Sequence, residues 1–198
     1  WKNEYYDYDY NHIKKVYSIW ILPQSAKKND GHINAYKIDE INIDNIIDPS
    51  PYKELTKCRI TYNKEIVSIE YIPYQARPVS SLKLVKDNTI DYSWKTTNRE
   101  TINRLFASRQ KYDDILIVKN DLITDTSICN VAFSDGNRWK TPEKPLLKGT
   151  QREYLLRRGT IQEARISADD ISKYKHISLF NAMIGFGEII LPVTSINI

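Results

Sequence analysis

The sequence predicts a mixed α+β protein of two lobes: a small N-terminal α/β lobe over residues 1–78 and a larger C-terminal lobe of β-hairpins and short helices over 79–198. Two observations carry this. Short apolar runs with period-two alternation recur between polar turns, while helical spacing appears only in brief stretches after residue 95. At 198 residues the chain is also long enough to bury a real core, as one domain or two small lobes.

Each element has its own signal. Val16-Tyr17-Ser18-Ile19-Trp20-Ile21-Leu22 is a strand-like run stopped by Pro23, and the polar, lysine-rich stretch 25–31 is a loop. Isoleucines alternate with Asn and Asp over 41–47, until Asp48-Pro49-Ser50-Pro51 breaks the chain. Residues 58–62 and 66–72 form a hairpin across Asn63-Lys64, and 81–85 is a further strand. Ile102, Leu105, Phe106 and Arg109 follow helical spacing, with Thr97 or Asn98 available as N-cap. Residues 115–118 and 122–124 flank Lys119-Asn120-Asp121 as a second hairpin. A third joins 128–133 to 138–140 through Asp135-Gly136, a strong turn signal. A helix over 150–158 stops at Gly159. Ser167 with Asp170 starts a short helix ending near Tyr174, and strands 177–180 and 189–193 follow.

Composition excludes several functions. The net charge is +4 with both signs interspersed, and no dense Lys/Arg block marks a nucleic-acid arm. The 14 tyrosines gather near the N-terminus and in strands, where packing explains them better than base stacking. No apolar run approaches the ~18 residues of a membrane span, and Trp1-Lys2-Asn3-Glu4-Tyr5-Tyr6-Asp7 is too polar and acidic for a signal peptide. Cys58 and Cys129 lie far apart, without metal or redox spacing, and read as reduced thiols. The expectation is a soluble cytoplasmic protein that binds neither nucleic acid nor membrane.

Three stations carry chemistry. Lys95 could supply an amine, because partial burial lowers a lysine's pKa and makes it a Schiff-base former. Asp125 ends a strand and is followed by Thr126 and Ser127, an acid with two hydroxyls. Gly149-Thr150 opens a helix whose free N–H groups could cradle an anion. Each has an ordinary reading as well: an exposed lysine, a turn aspartate and a capping threonine. Their order and spacing say more than any one of them.

Together these runs resemble the fold-type IV pyridoxal phosphate enzymes, or class IV aminotransferases. Lys95-Thr96-Thr97-Asn98-Arg99 is similar to the K-x-x-N-R-like context of the family's Schiff-base lysine. Ile123-Thr124-Asp125-Thr126-Ser127-Ile128-Cys129-Asn130-Val131 resembles its hydrophobic-Thr-Glu motif, with Asp125 in place of the usual, longer Glu. Leu147-Lys148-Gly149-Thr150-Gln151-Arg152, preceded by Thr141-Pro142, resembles its L-x-G-[IT]-x-R helix start. The likeness covers residues 59–193.

The resemblance implies a two-lobed fold-type IV architecture, pyridoxal 5'-phosphate as cofactor, a small amino acid-like substrate and a homodimer. It implies that Lys95 carries the aldimine and that Asp125 pairs with the ring nitrogen. Thr126, Ser127, Gly149 and Thr150 would hold phosphate. Lys15, in His12-Ile13-Lys14-Lys15, would stand in for the arginine of the family's H-x-x-R. Phe180-Asn181-Ala182-Met183 resembles a run of aminodeoxychorismate lyase, placing Asn181 near the substrate. Arg77 is either a clamp for a substrate carboxylate or an ordinary surface arginine. The implied activity is that lyase's release of pyruvate and 4-aminobenzoate, a folate precursor. The alternatives are an aminotransferase for branched-chain or D-amino acids, and a non-catalytic relative that keeps the fold.

Overall fold

The computed structural model describes residues 15–21, 46–48, 50–62 and 66–197, with side chains from Ile46 onward except that of Tyr62. The expected loop at 25–31, most of the alternating run from Ile41, the turn at Asn63-Lys64 and His12-Ile13-Lys14 lie outside the described residues. The chain divides into two compact units, Trp1–Gln75 and Ala76–Ile198.

The first unit contains a three-stranded sheet of β1 (Lys15–Ile21), β2 (Thr56–Tyr62) and β3 (Ile66–Pro73). β2 and β3 form the expected antiparallel pair, while β1 adds in parallel to the other edge of β2. Alternation sends Cys58 and Ile60 to one face, where they pack with Ile47, Ile69 and Tyr71. Tyr52 stacks on Tyr71 at 4.6 Å between ring centroids.

The second unit is built on a nine-stranded mixed sheet. Its elements are β4 (Leu82–Lys86), α1 (Glu100–Ala107), β5 (Asp114–Lys119), β6 (Leu122–Thr126), β7 (Asn130–Ser134), β8 (Trp139–Pro142), α2 (Thr150–Arg157), β9 (Ile161–Ala164), β10 (His176–Asn181), β11 (Ile184–Pro192) and β12 (Ile196–Asn197). The strand order is β11-β10-β7-β6-β5-β4-β12, with β8 beside β7 and β9 beside β8. Hairpin neighbours pair antiparallel, but β4 runs parallel to both β5 and β12, and β9 runs parallel to β8. β5 reads as a continuous apolar run because Ile115, Leu116 and Ile117 are fully buried. The α+β class predicted from alternation is the class adopted.

Local chemistry fixes the turns. Asn120 (φ 50°) and Asp121 (φ 61°) both take the left-handed conformation that a two-residue hairpin turn requires. At the β7–β8 turn, Asp135 Oδ1 accepts the Asn137 and Arg138 N–H groups, and Gly136 (φ 105°) completes the reversal. α2 ends where Gly159 and Thr160 donate to Leu156 and Leu155, the paired bonds of a glycine C-cap. α1 begins later than its signal: Arg99 holds the cap position, while Asn98 Oδ1 accepts the Glu100 N–H at 3.1 Å. The helix expected after Ser167 is a single 3-10 turn, Ile171–Lys173. Ser167 and Asp170 do bond reciprocally, with Ser167 Oγ donating to Asp170 Oδ2 at 2.8 Å.

Candidate active site

Lys95 lies half-buried on the turn between β4 and α1, beside an exposed Trp94. The turn is braced from within. The Tyr92 hydroxyl donates to the Thr96 carbonyl at 3.4 Å, and Arg99 Nη1 donates to the Tyr92 hydroxyl at 3.0 Å. Arg99 Nη2 then reaches the Ser127 carbonyl at 2.7 Å. This planar fork ties the lysine turn to the segment that follows Asp125.

Asp125 sits near the end of β6, directly opposite Asn130 of β7 in their single described register pair. Cross-strand partners share a face, and Asn130 Nδ2 donates to Asp125 Oδ1 at 2.6 Å. The Leu146 N–H donates to Asp125 Oδ2. Burial pushes the Asp125 carboxyl up to about 7, although the Leu146, Asn130 and Leu147 donors and the Arg152 charge pull the other way. Each carboxylate oxygen has two acceptor directions, so Asp125 retains capacity for a further donor.

Thr126 and Ser127 are both buried, the first bonded through its hydroxyl and the second through its backbone. Thr126 Oγ1 accepts the Cys129 N–H at 3.0 Å and the Ile128 N–H at 3.4 Å, closing its own turn. The Ser127 N–H donates to Asp114 Oδ1 at 3.4 Å while its carbonyl takes Arg99. Gly149 is the N-cap of α2 and Thr150 its first residue, with no side-chain cap on the helix. The first N–H groups of such a helix have no intrahelical partner.

Asn181 joins two turns. Its Oδ1 accepts the Met183 and Ile184 N–H groups at 2.7 and 3.0 Å, and its Nδ2 donates to the Ile128 carbonyl and to Cys129 Sγ. All four hydrogen-bonding positions of that amide are thereby used. Arg77 Nη2 pairs with the buried Asp114 at 2.9 Å, and its guanidinium lies 4.6 Å from the Phe106 ring centroid. Lys15 opens β1, and its side chain is outside the described residues.

The site thus gathers the lysine turn, the acid and the glycine-led helix within the second unit. Asn130, Arg99 and Arg152 lie inside the motifs, yet the sequence assigned them no role, and Tyr92 and Asp114 carried no signal. Arg152 is the buried anchor of α2, with Nη2 on the Pro142 carbonyl at 2.8 Å and on Glu163 at 2.7 Å. The donor set fits pyridoxal phosphate: a half-buried amine, a buried carboxyl for a ring nitrogen, and an uncapped helix N-terminus for a phosphate.

The class IV amino-transferase family model matches residues 43–196, and the chain belongs to that family, whose members bind pyridoxal phosphate. An uncharacterized protein of Haemophilus influenzae is 45% identical over 138 residues, covering 69% of this chain and 73% of that one. The crystal structure of a protein from Haemophilus somnus, provisionally named a 4-amino-4-deoxychorismate lyase, is 35% identical with a TM-score of 0.70, over 77% of this chain and 81% of its own. A hypothetical aminotransferase from Mycobacterium tuberculosis, in its PLP-bound form, shares the fold at 18% identity and a TM-score of 0.52, over 65% and 54% of the two chains. No described helix is long and apolar enough to cross a membrane.

Proposed function

We propose that the protein is a pyridoxal phosphate-dependent lyase that cleaves 4-amino-4-deoxychorismate into pyruvate and 4-aminobenzoate. The observation that carries this reading is the Arg99 fork, which ties the lysine turn to the segment beside Asp125. The likeness to the Haemophilus somnus protein supports the choice of substrate.

Lys95 Nζ is the amine that would hold the cofactor. Asp125 would face the ring nitrogen, and the N–H groups opening α2 at Gly149-Thr150 would meet the phosphate. Bound there, the cofactor supplies an electron-withdrawing ring that takes up the charge left when a proton departs the substrate carbon. As a free neutral amine, Lys95 Nζ would take that proton from the carbon bearing the substrate's amine. It then returns the proton to the departing three-carbon unit, which leaves as pyruvate. The bond lost is the ether carbon–oxygen bond, and the ring that remains is aromatic. Atoms balance without water or a second substrate. The same reading carries a cytoplasmic homodimer.

The test is borohydride reduction of the protein mixed with pyridoxal 5'-phosphate, followed by peptide mapping, with turnover measured in parallel. The expected result is a label on Lys95, none in Lys95→Ala, and both products formed without an added 2-oxo acid. A requirement for an oxo acid would make the chain an aminotransferase instead. An unlabelled Lys95 would overturn the catalytic reading altogether.

A further inference from the structure

We propose that Asn130 is a positioning residue that couples the two ends of the cofactor site, so that a change in the Gly149 turn is felt at the Asp125 carboxylate and the reverse. The cofactor part of this rests on the reading above. The coupling between Asp125 and Gly149 is a property of the polypeptide and stands by itself.

One buried amide serves both ends. Asn130 Nδ2 donates to Asp125 Oδ1 at 2.6 Å and to the Leu147 carbonyl at 2.8 Å. Both partners are acceptors, so the amide nitrogen has to face them. That fixes Oδ1 on the other side, against the backbone of Gly149. A Cβ at Gly149 would fall far inside contact distance of Asn130 Oδ1. Gly149 has φ −70°, which any residue adopts. The glycine is therefore required by the amide and not by the backbone angle.

The turn grips the acid by two routes. The Leu146 N–H bonds Asp125 Oδ2 directly, and the Leu147 carbonyl holds the amide that bonds Oδ1. Moving the turn shifts both donors at once. Among the described residues, the titratable groups that act on Asp125 are Arg152 of α2 and the buried Cys129 thiol, whose ionisation burial opposes. Neither bridges to Gly149 as the amide does. A carboxyl this buried is neutralised by desolvation unless donors hold its charged form, and Asn130 is one of those donors.

The experiment titrates the Asp125 carboxyl carbon by NMR in the cofactor-free protein, its signal identified by its loss in Asp125→Asn. Asn130→Ala should raise the midpoint, because a donor to the anion is gone. Gly149→Ala should raise it too, because the new methyl displaces the amide. The double variant Asn130→Ala/Gly149→Ala should show no further rise, since the clashing oxygen is absent. Binding of pyridoxal 5'-phosphate should fall about tenfold in each single variant and no further in the double, as expected for loss of one charge-assisted hydrogen bond.

Effects that add, or a Gly149→Ala protein with the wild-type midpoint, would overturn the coupling. Should Gly149→Ala unfold, restoration of folding by adding Asn130→Ala supports the proposal and lack of restoration refutes it. A wild-type protein that never takes up pyridoxal 5'-phosphate would sink the proposed function, and the cofactor-free titration would still decide the coupling.

Discussion

Arg99 Nη2 donates to the Ser127 carbonyl across 2.7 Å, joining residues 28 positions apart. The same guanidinium holds the Tyr92 hydroxyl, so one side chain sets the lysine turn against the acid segment. Lysine carries the charge but cannot make the fork. Arg99→Lys is expected to lower stability by about 1–3 kcal/mol through a lost charged hydrogen bond, and to slow borohydride trapping at Lys95. Urea unfolding and the rate of trapping read the two effects. Unchanged values for both would show that the fork holds nothing in place.

Asp125 makes stability depend on pH in an unusual direction. Burial raises its folded-state pKa from 3.8 to about 7, so between those values the folded protein binds a proton that the unfolded chain has released. Stability from this group is complete below about pH 4 and is lost as pH rises toward 7. Asp125→Asn keeps the shape and removes the titration. The difference in unfolding free energy between wild type and variant should change by roughly 2–4 kcal/mol across that window, at 1.36 kcal/mol per pH unit. A difference that stays flat from pH 4 to 7 would contradict the burial effect.

Thr126 separates a ligand role from a structural one. Its hydroxyl accepts two N–H groups of its own turn. Thr126→Val is expected to cost about 1–3 kcal/mol, because buried donors lose their partner. Inorganic phosphate should still bind the variant with wild-type affinity, measured by calorimetry. Weaker phosphate binding with unchanged stability would turn the hydroxyl toward the ligand.

Arg77 is tied to Asp114, whose side chain is 2% exposed while that of Arg77 is 41% exposed. Removing one partner of a fully buried pair costs ~3–5 kcal/mol, and the half-exposed arginine reduces that here to roughly 1–3 kcal/mol. Arg77→Met should therefore destabilise the protein, and Asp114→Asn should recover part of the loss. If Arg77→Met unfolds at the wild-type urea concentration and raises only the KM, the residue serves substrate.

The second unit was legible where structure is local. The two hairpins at 119–121 and 135–137, the helix stopped by Gly159 and the Ser167–Asp170 pair are all set by a few adjacent residues. Strand partnership was not legible, because alternation reports a strand's faces and says nothing of its neighbours. The parallel pairs β4–β5 and β8–β9 needed the structure, as did β9, a four-residue strand with two exposed positions. The same limit applied to the site. Lys95, Asp125 and Gly149 carry chemistry in their residue types, whereas Asn130 acquires a role only through the contacts that β6–β7 pairing creates.

The order of the sheet also dictates an order of assembly. β5–β6 and β7–β8 can close as soon as their turns leave the ribosome, because both halves lie side by side in the chain. β4 has to wait. One of its edges is covered by β5, but the other meets Ile196 and Asn197, which are translated after every other strand of the sheet. Until they arrive, the nascent unit presents a bare strand edge that a neighbouring polypeptide could pair with. β12 then covers only the Leu82–Lys83 end of β4 and becomes the edge of the sheet itself, a strand just two residues long, which leaves little edge for another chain to join.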